Sequence, residues 1–345
     1  MLTRRLALTG ALSVTGALTG LGALAPVRAR AQSAPYAPYV PPAGSGESFA
    51  RYIEGVKAEA RRRGIAPTTL EAAFAGVQIN PKVIDLDRHQ PESTLTWAQY
   101  RARIVSEARI ARGRPLYAQF RPLIAEVGGR YGVTPGVLMG IWGMESDFGR
   151  AVGDYNVVEA LATLAWEGRR EKFFRSELMD ALRILDRGDI APGRMTGSWA
   201  GAMGQTQFMP DSFLRYAVDY SGDGRRDLWN NMADVFASTA NCLARTGWRP
   251  GLPWGIPAML PPGFDTAGTG RQVRRPVATW AQLGVQAARG GSLGPGEVNA
   301  AIVLPGGSPD EAYLVYAANF QAIRDYNPSD FYCCAVGLLG DAVTA

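Results

Sequence analysis

The chain has 345 residues, 47% of them hydrophobic and 10% aromatic, enough to bury a sizeable core and more than one subdomain. Its 36 basic and 31 acidic residues give a net charge of +5, with one histidine, His89, and three cysteines. A lone histidine rules out a multi-histidine zinc site and tells against Ser-His-Asp and Cys-His catalysis. Cys242, Cys333 and Cys334 have no metal-site spacing; they read as small buried helix residues, or as a bridge from Cys242 to one of the vicinal pair.

Residues 1–31 combine a basic start, a weakly apolar Gly/Ala/Leu/Thr run and a small-residue site at Ala29-Arg30-Ala31, the pattern of an export signal. Thr3-Arg4-Arg5 followed by Leu6 and Leu8 points to the twin-arginine route, with an ordinary secretory signal as the alternative. Its removal takes away Arg4, Arg5, Arg28 and Arg30 and leaves 32 basic against 31 acidic residues, so a nucleic-acid partner loses its main support. No cysteine stands where a lipid would be attached, and no later apolar run reaches bilayer length. The mature protein is expected in the bacterial periplasm, as a monomer without a membrane anchor.

Residues 32–47, "QSAPYAPYVPPAGSGE", have the composition of a flexible leader. A helical region follows over 48–128. "ESFARYIEGVKAEARRRG" places Phe49, Tyr52, Ile53 and Val56 at helical spacing with a stop at Gly64. "APTTLEAAFAG" reads as a short helix capped by Thr68 or Thr69. The next stretch, through "YRARIVSEARIARGRPLYAQF", is helical, with Pro115 breaking it or opening the next helix. Another helix starts at Thr134-Pro135, where Thr caps and Pro suits the first turn. "EKFFRSELMDALRILDRG", "MPDSFLRYAVDY" and "ADVFASTANCLARTGW" continue the helical core over 129–250. Over 251–316 short segments, "WGIPAML", "RQVRRPV", "AAIVLPG" and "EAYLVY", lie between Gly/Pro turns and read as strands of a small β-containing insertion. Residues 317–345 return to helix. The fold class is therefore mainly α.

Three stretches carry chemistry. In "GIWGMESDFGR", Ile141, Trp142 and Phe148 share a helical face with Glu145. A carboxylate in such a setting is either satisfied by a cation such as Arg150 or held protonated for use as an acid. "GSWAGAMGQTQFMPDSF" has small residues, Ala200, Gly201, Ala202 and Gly204, that let a ligand approach the backbone. There Ser198, Gln205 and Gln207 offer neutral hydrogen bonds suited to sugar hydroxyls and amides, and Trp199 and Phe208 offer flat faces. In "DYSGDGRRDLWNNMAD", Asp219, Ser221 and Asp223 take the first, third and fifth positions of an EF-hand-like loop, with Gly224 at the sharp turn. The Arg225 carbonyl would be the next ligand. Asn230 replaces the usual closing acid, so Asp234 is the candidate to close the site around Ca2+.

"MESDFG", "GSWAGAMGQTQFMP", "YAVDYSGDGRRDLW" and "STANCLARTGW", with "LDRHQPE", "GRREKFFRSEL" and "NFQAIRDYN", resemble lytic murein transglycosylases. The resemblance is greatest to the family of membrane-bound lytic murein transglycosylase B and its soluble relatives, and it spans nearly the whole mature chain. It implies a lysozyme-like helical catalytic domain and cleavage of the β-1,4 bond between N-acetylmuramic acid and N-acetylglucosamine in peptidoglycan glycan strands. It further implies that Glu145 is the single acid/base and that Ser198 and Gln207 hold the glycan. By the same resemblance Tyr326, Asn327 and Tyr332 line the cleft from the C-terminal segment, and Tyr100 reaches it from the N-terminal helices. The calcium loop maps onto Asp219, Ser221, Asp223, Arg225 and Asp234. No cofactor is implied for catalysis.

Ordinary glycoside hydrolysis uses two carboxylates. Asp147, two residues on, lies about 200° around a helix from Glu145 and faces away. Asp154 is the remaining nearby candidate. A single apolar-set Glu suits instead an intramolecular route closing a 1,6-anhydro ring. A hydrolytic muramidase and a non-catalytic peptidoglycan-binding protein are the alternatives.

Overall fold

The computed structural model describes residues 48–89 and 95–345. The export signal, the leader and the end of "LDRHQPE" lie outside the described residues.

The N-terminal helices are α1 (Phe49–Arg62), α2 (Pro67–Phe74), α3 (Pro81–Arg88), α4 (Trp97–Ile104) and α5 (Glu107–Tyr131). The Ser48 hydroxyl caps α1 by accepting from the Arg51 N–H, and Tyr52, Ile53, Val56 and Ala60 form its buried stripe. Neither Thr68 nor Thr69 caps α2. Ala66 is the cap residue with Pro67 behind it, and the Ala66 N–H and Thr69 hydroxyl both donate to Asp186 at the end of α8 (Glu171–Asp186). The break in the long helical stretch falls at Val105-Ser106, not at Pro115, which lies inside α5. Ser106 supplies what Pro115 lacks, a side chain that accepts from the Arg109 N–H and so starts a helix.

Next come α6 (Pro135–Ser146), β1 (Tyr155–Asn156), α7 (Val157–Glu167), then α8, β2 (Thr196–Gly197), α9 (Pro210–Tyr216) and α10 (Met232–Arg245). Thr134 is the cap residue of α6, but its side chain makes no capping bond. Helix α7 has no periodic signature in the sequence because it is apolar nearly all round: Val157 to Trp166 are buried except Glu159, so no stripe marks it. The Asn156 side chain starts it by accepting from the Glu159 N–H.

The chain then forms β3 (Gly255–Met259), β4 (Arg275–Pro276), α11 (Val277–Gln282), β5 (Gln286–Ala287), β6 (Asn299–Val303) and β7 (Ala312–Tyr316). It ends with α12 (Ala317–Tyr326) and α13 (Asp330–Thr344). The strands make one antiparallel sheet of order β4-β6-β7-β3-β5, with Ile302 opposite Leu314 and Gly255 opposite Val315. This is the small β-containing part expected of the fold class. Its strands lack polar alternation because both faces are covered. Ala300, Ile302, Leu314 and Tyr316 pack with Trp280 of α11, while Ala301, Val303, Tyr313 and Val315 face the helices.

The helices divide between two cores. One joins α1, α2 and α3 to α7 and α8; the other joins α4, α5, α6, α10, α12 and α13 to the inner sheet face. Tyr326 packs against both, which places the end of α12 at their junction. The closest helix contact is α6 on α13. A methyl at Gly140 would overlap the Val336 carbonyl oxygen, and one at Gly340 the Gly136 carbonyl oxygen. Small residues thus let two backbones touch, and that approach brings Tyr332 to Glu145. Cys242, Cys333 and Cys334 are buried thiols in α10 and α13, as the non-disulfide reading expects.

Candidate active site

Glu145 lies in the last turn of α6. The helix stops one residue later, because Asp147 (φ 49°) and Phe148 (φ 59°) are left-handed. Phe148 is therefore beyond the helix rather than on its face, yet its ring still meets Trp142 edge-on at 5.4 Å. The turn is held at several points. Asp147 Oδ1 takes ion pairs from Arg109 at 3.3 Å and Arg112 at 3.1 Å, and the Ser146 hydroxyl donates to the Trp142 carbonyl and accepts from the Gly149 N–H. Asp147 is thus committed to α5 by these ion pairs; because it lies beyond the helix end, the helical angle does not set its direction.

Arg150 is exposed and does not neutralise Glu145. The partner is neutral: the Tyr332 hydroxyl donates to Glu145 Oε1 at 2.5 Å. Burial raises the Glu145 pKa from 4.5 to about 8, and the Tyr332 hydrogen bond opposes that rise without cancelling it. Neither Asp147 nor Asp154 acts on it, and Asp154 is exposed. Tyr332 and Tyr326 are pushed well above the usual phenol range, first by burial and then by the Glu145 charge. Tyr100 is raised by the same two causes, so it stands near the same carboxyl. Its ring lies against Phe331 and stacks on Trp97.

The Gly-rich stretch packs against α6 and the end of α12. β1 pairs with β2, and Met203 bridges Gly197 and Phe208, folding residues 197–208 into a tight double turn. Gln207 occupies a left-handed conformation (φ 50°) that is unusual for a residue with a side chain. Its amide N–H donates to the Val152 and Gly204 carbonyls, which leaves Oε1 as its hydrogen-bonding face. The Ser198 hydroxyl accepts from the Ala202 N–H, and the buried Asn327 side chain accepts from the Ser329 N–H at the start of α13. Phe208 is not a surface for a sugar ring. It is buried, with Tyr326 at 5.5 Å, and the Tyr326 hydroxyl donates to the Thr206 carbonyl at 2.5 Å.

Gln205 also has another role than the one expected. It is buried and joins the Gly-rich stretch to α6: Trp142 donates to its Oε1 at 2.7 Å, and its Nε2 donates to the Trp229 carbonyl at 2.9 Å. A buried indole N–H needs an acceptor. That need at Trp142, one turn before Glu145, was the available signal for this contact. The Arg109–Asp147–Arg112 cluster gave no comparable signal.

The Asp219–Asp234 loop folds around its own carboxylates. Asp219 accepts from the N–H groups of Gly222, Asp223 and Gly224, and Asp223 from that of Arg225. Asp234 is buried and accepts from the N–H groups of Tyr220, Ser221 and Asp227, so it clasps the loop from α10. Among the described residues no three acidic, histidine or cysteine side chains converge in metal-binding geometry. The donors that suit a hard cation are the half-buried Asp219 carboxylate, the carboxylate and hydroxyl of the exposed Asp223 and Ser221, and the Arg225 carbonyl.

The Transglycosylase SLT domain family matches residues 48–341. The chain belongs to this family. As an SLT-domain protein it is 33% identical over 253 residues to membrane-bound lytic murein transglycosylase B of Escherichia coli (strain K12), covering 72% of this chain and 67% of that protein. It is similar to SltB3 from Pseudomonas aeruginosa, crystallised with NAG-anhNAM-pentapeptide: 43% identity, 87% of this chain and 80% of the other, TM-score 0.83. The Escherichia coli lytic transglycosylase Slt35, crystallised with calcium, gives 29% identity, 85% and 92% coverage and a TM-score of 0.71. The SLT-domain chain shares their lysozyme-like helical fold with a small β sheet.

Proposed function

We propose that this protein is a lytic transglycosylase that cuts the β-1,4 bond between N-acetylmuramic acid and N-acetylglucosamine in peptidoglycan without consuming water. The observation that carries the mechanism is the half-buried Glu145 carboxyl, whose pKa burial raises to about 8 and which, among the described residues, takes its hydrogen bond from the Tyr332 phenol. The names of the relatives, and the anhydro sugar bound to SltB3, support the same reaction.

The steps balance on one residue. Glu145 gives its proton to the glycosidic oxygen as the bond to C1 of the muramyl ring breaks and positive charge develops there. The N-acetylglucosamine leaves with that proton on its hydroxyl. The Glu145 carboxylate then takes the proton from the muramyl C6 hydroxyl while its oxygen bonds to C1, and the protonated acid is restored. Such acid–base work contributes about 10²–10⁴-fold. The Tyr332 hydrogen bond favours the carboxylate and so assists the first step, in which Glu145 gives up its proton. Ser198, Gln207 through Oε1, Asn327, Tyr326 and Tyr100 line the walls that orient the glycan.

Secondary proposals follow from the rest of the chain. The protein acts in the periplasm, exported by the twin-arginine signal; among the described residues no helix is long and apolar enough to cross a membrane. The Asp219 loop takes Ca2+ through Asp219, Ser221, Asp223 and the Arg225 carbonyl, with Asp234 as its clasp; the calcium complex of Slt35 supports this reading. The ion takes no part in the reaction.

Mass spectrometry of muropeptides tests the function. Purified peptidoglycan treated with the protein should yield 1,6-anhydromuramyl ends that disappear with Glu145→Gln. Reducing ends would identify a hydrolase, and no product from the wild type would leave a binding protein.

A further inference from the structure

Three consecutive residues of the Gly-rich stretch each reach a different element. The Thr206 carbonyl accepts from Tyr326 at the end of α12, and Gln207 donates to the Val152 carbonyl in the loop after α6. Gln205 alone reaches α6 itself. Its backbone N–H donates to the Leu228 carbonyl at 2.8 Å, its Nε2 to the Trp229 carbonyl, and its Oε1 accepts from the Trp142 indole. Each polar atom of this side chain therefore makes one bond, in a buried place where an unmade bond is costly.

Trp142 is the residue through which that tie is passed on. Its carbonyl accepts from the Asp147 and Phe148 N–H groups and the Ser146 hydroxyl, so it organises the whole turn that follows Glu145. Its ring stands edge-on to Phe148 and Phe236, at 5.4 and 5.3 Å. Gly149, at φ 82°, passes so close to the Gln205 amide that a side chain there would collide with it.

We propose that Gln205 is a positioning residue for the reaction, fixing the end of α6, and with it the Glu145 carboxyl, against the Gly-rich stretch. The inference rests on Glu145 being the acid/base. A carboxyl must lie within hydrogen-bond reach of the glycosidic oxygen, and a misplacement of about 1 Å can cost about 10²-fold in rate. The bond from Trp142 to Gln205 ties the Gly-rich stretch to α6 one turn before Glu145.

The test compares Gln205→Met, which keeps length and loses both side-chain bonds, with Trp142→Phe, which removes the indole N–H and keeps an aromatic ring. Release of anhydromuramyl ends from soluble glycan fragments gives kcat and KM for each, beside thermal midpoints. Each variant is expected to lose at least tenfold in kcat with KM within about twofold. The double variant should be no worse than the poorer single one, because both remove the same bond. Wild-type kcat in a variant with a lowered thermal midpoint would reduce Gln205 to a packing role and overturn the inference. Multiplicative losses in the double variant would overturn it as well. Should the wild type itself release no anhydro ends, the reading of Glu145 fails and this inference with it; should it release them while Gln205→Met keeps full kcat, this inference alone fails.

Discussion

A carboxyl group that first gives a proton and later takes one back works best with a pKa near the pH of its surroundings. Glu145 reaches about 8 through burial, and Tyr332 keeps it from rising further. The acid is the protonated form, so kcat should hold below about pH 8 and fall as pH rises through it, which a pH–rate profile on soluble glycan fragments reads directly. Tyr332→Phe removes the bond that favours the carboxylate; the falling limb should then move to higher pH while kcat drops, because Glu145 then gives up its proton less readily in the first step. The same shift has a consequence for stability. Between the ordinary value of 4.5 and about 8 the native state holds one proton more than the unfolded chain, so this group's contribution to stability declines as pH rises across that window and is level above it. Glu145→Gln should flatten that decline in denaturant midpoints measured at pH 5 and pH 8. The acid itself was legible in the sequence, because Ile141 and Trp142 mark an apolar helix face around it. Its partner was not legible from spacing, since Tyr332 lies 187 residues away and entered only through family resemblance.

At the scale of elements, the site depends on how closely two helices approach. Gly140 and Gly340 let α6 and α13 touch backbone to backbone, and the shared face carries Glu145 on one side and Tyr332 on the other. Gly140→Ala places a methyl against the Val336 carbonyl and should destabilise the fold by about 3 kcal/mol, the upper range for overpacking, seen as a lowered denaturant midpoint. A loss of activity larger than the loss of folded protein is also expected, as the Glu145–Tyr332 contact opens. Helices with one apolar stripe, such as α1, were readable from their period. Helix α7 was not, because burial on every side erases the period, and the start of α5 was misplaced because Pro115 is a louder signal than the Ser106 cap. The strands of the small sheet were legible from their turns, but nothing local told that both faces are covered.

For the whole molecule, Tyr326 stands where two helical cores meet and is packed against both. Which helices join which core is set by contacts far apart in sequence, so no window of residues displays it. The Asp219 loop lies on the exterior of this arrangement, clasped by Asp234 to α10 and by the Tyr220 hydroxyl to Glu126 of α5. A cation bound there adds stability by mass action, about 2.7 kcal/mol at a hundred times its dissociation constant. Calcium should therefore raise the thermal midpoint of the wild type and not that of Asp219→Asn, with kcat at a permissive temperature unchanged by the ion. A calcium increment retained in Asp219→Asn would remove this loop as its site.

The central claim is that one carboxyl closes an internal ring and that water never enters the product. Digestion of peptidoglycan in heavy-oxygen water, followed by mass spectrometry of the new muramyl ends, tests it most directly. The account predicts ends lighter by one water than reducing muropeptides and free of the heavy isotope. Ends that carry one heavy oxygen at C1 would mean that water, activated by a second group, completes the reaction, and would contradict the single-carboxyl mechanism.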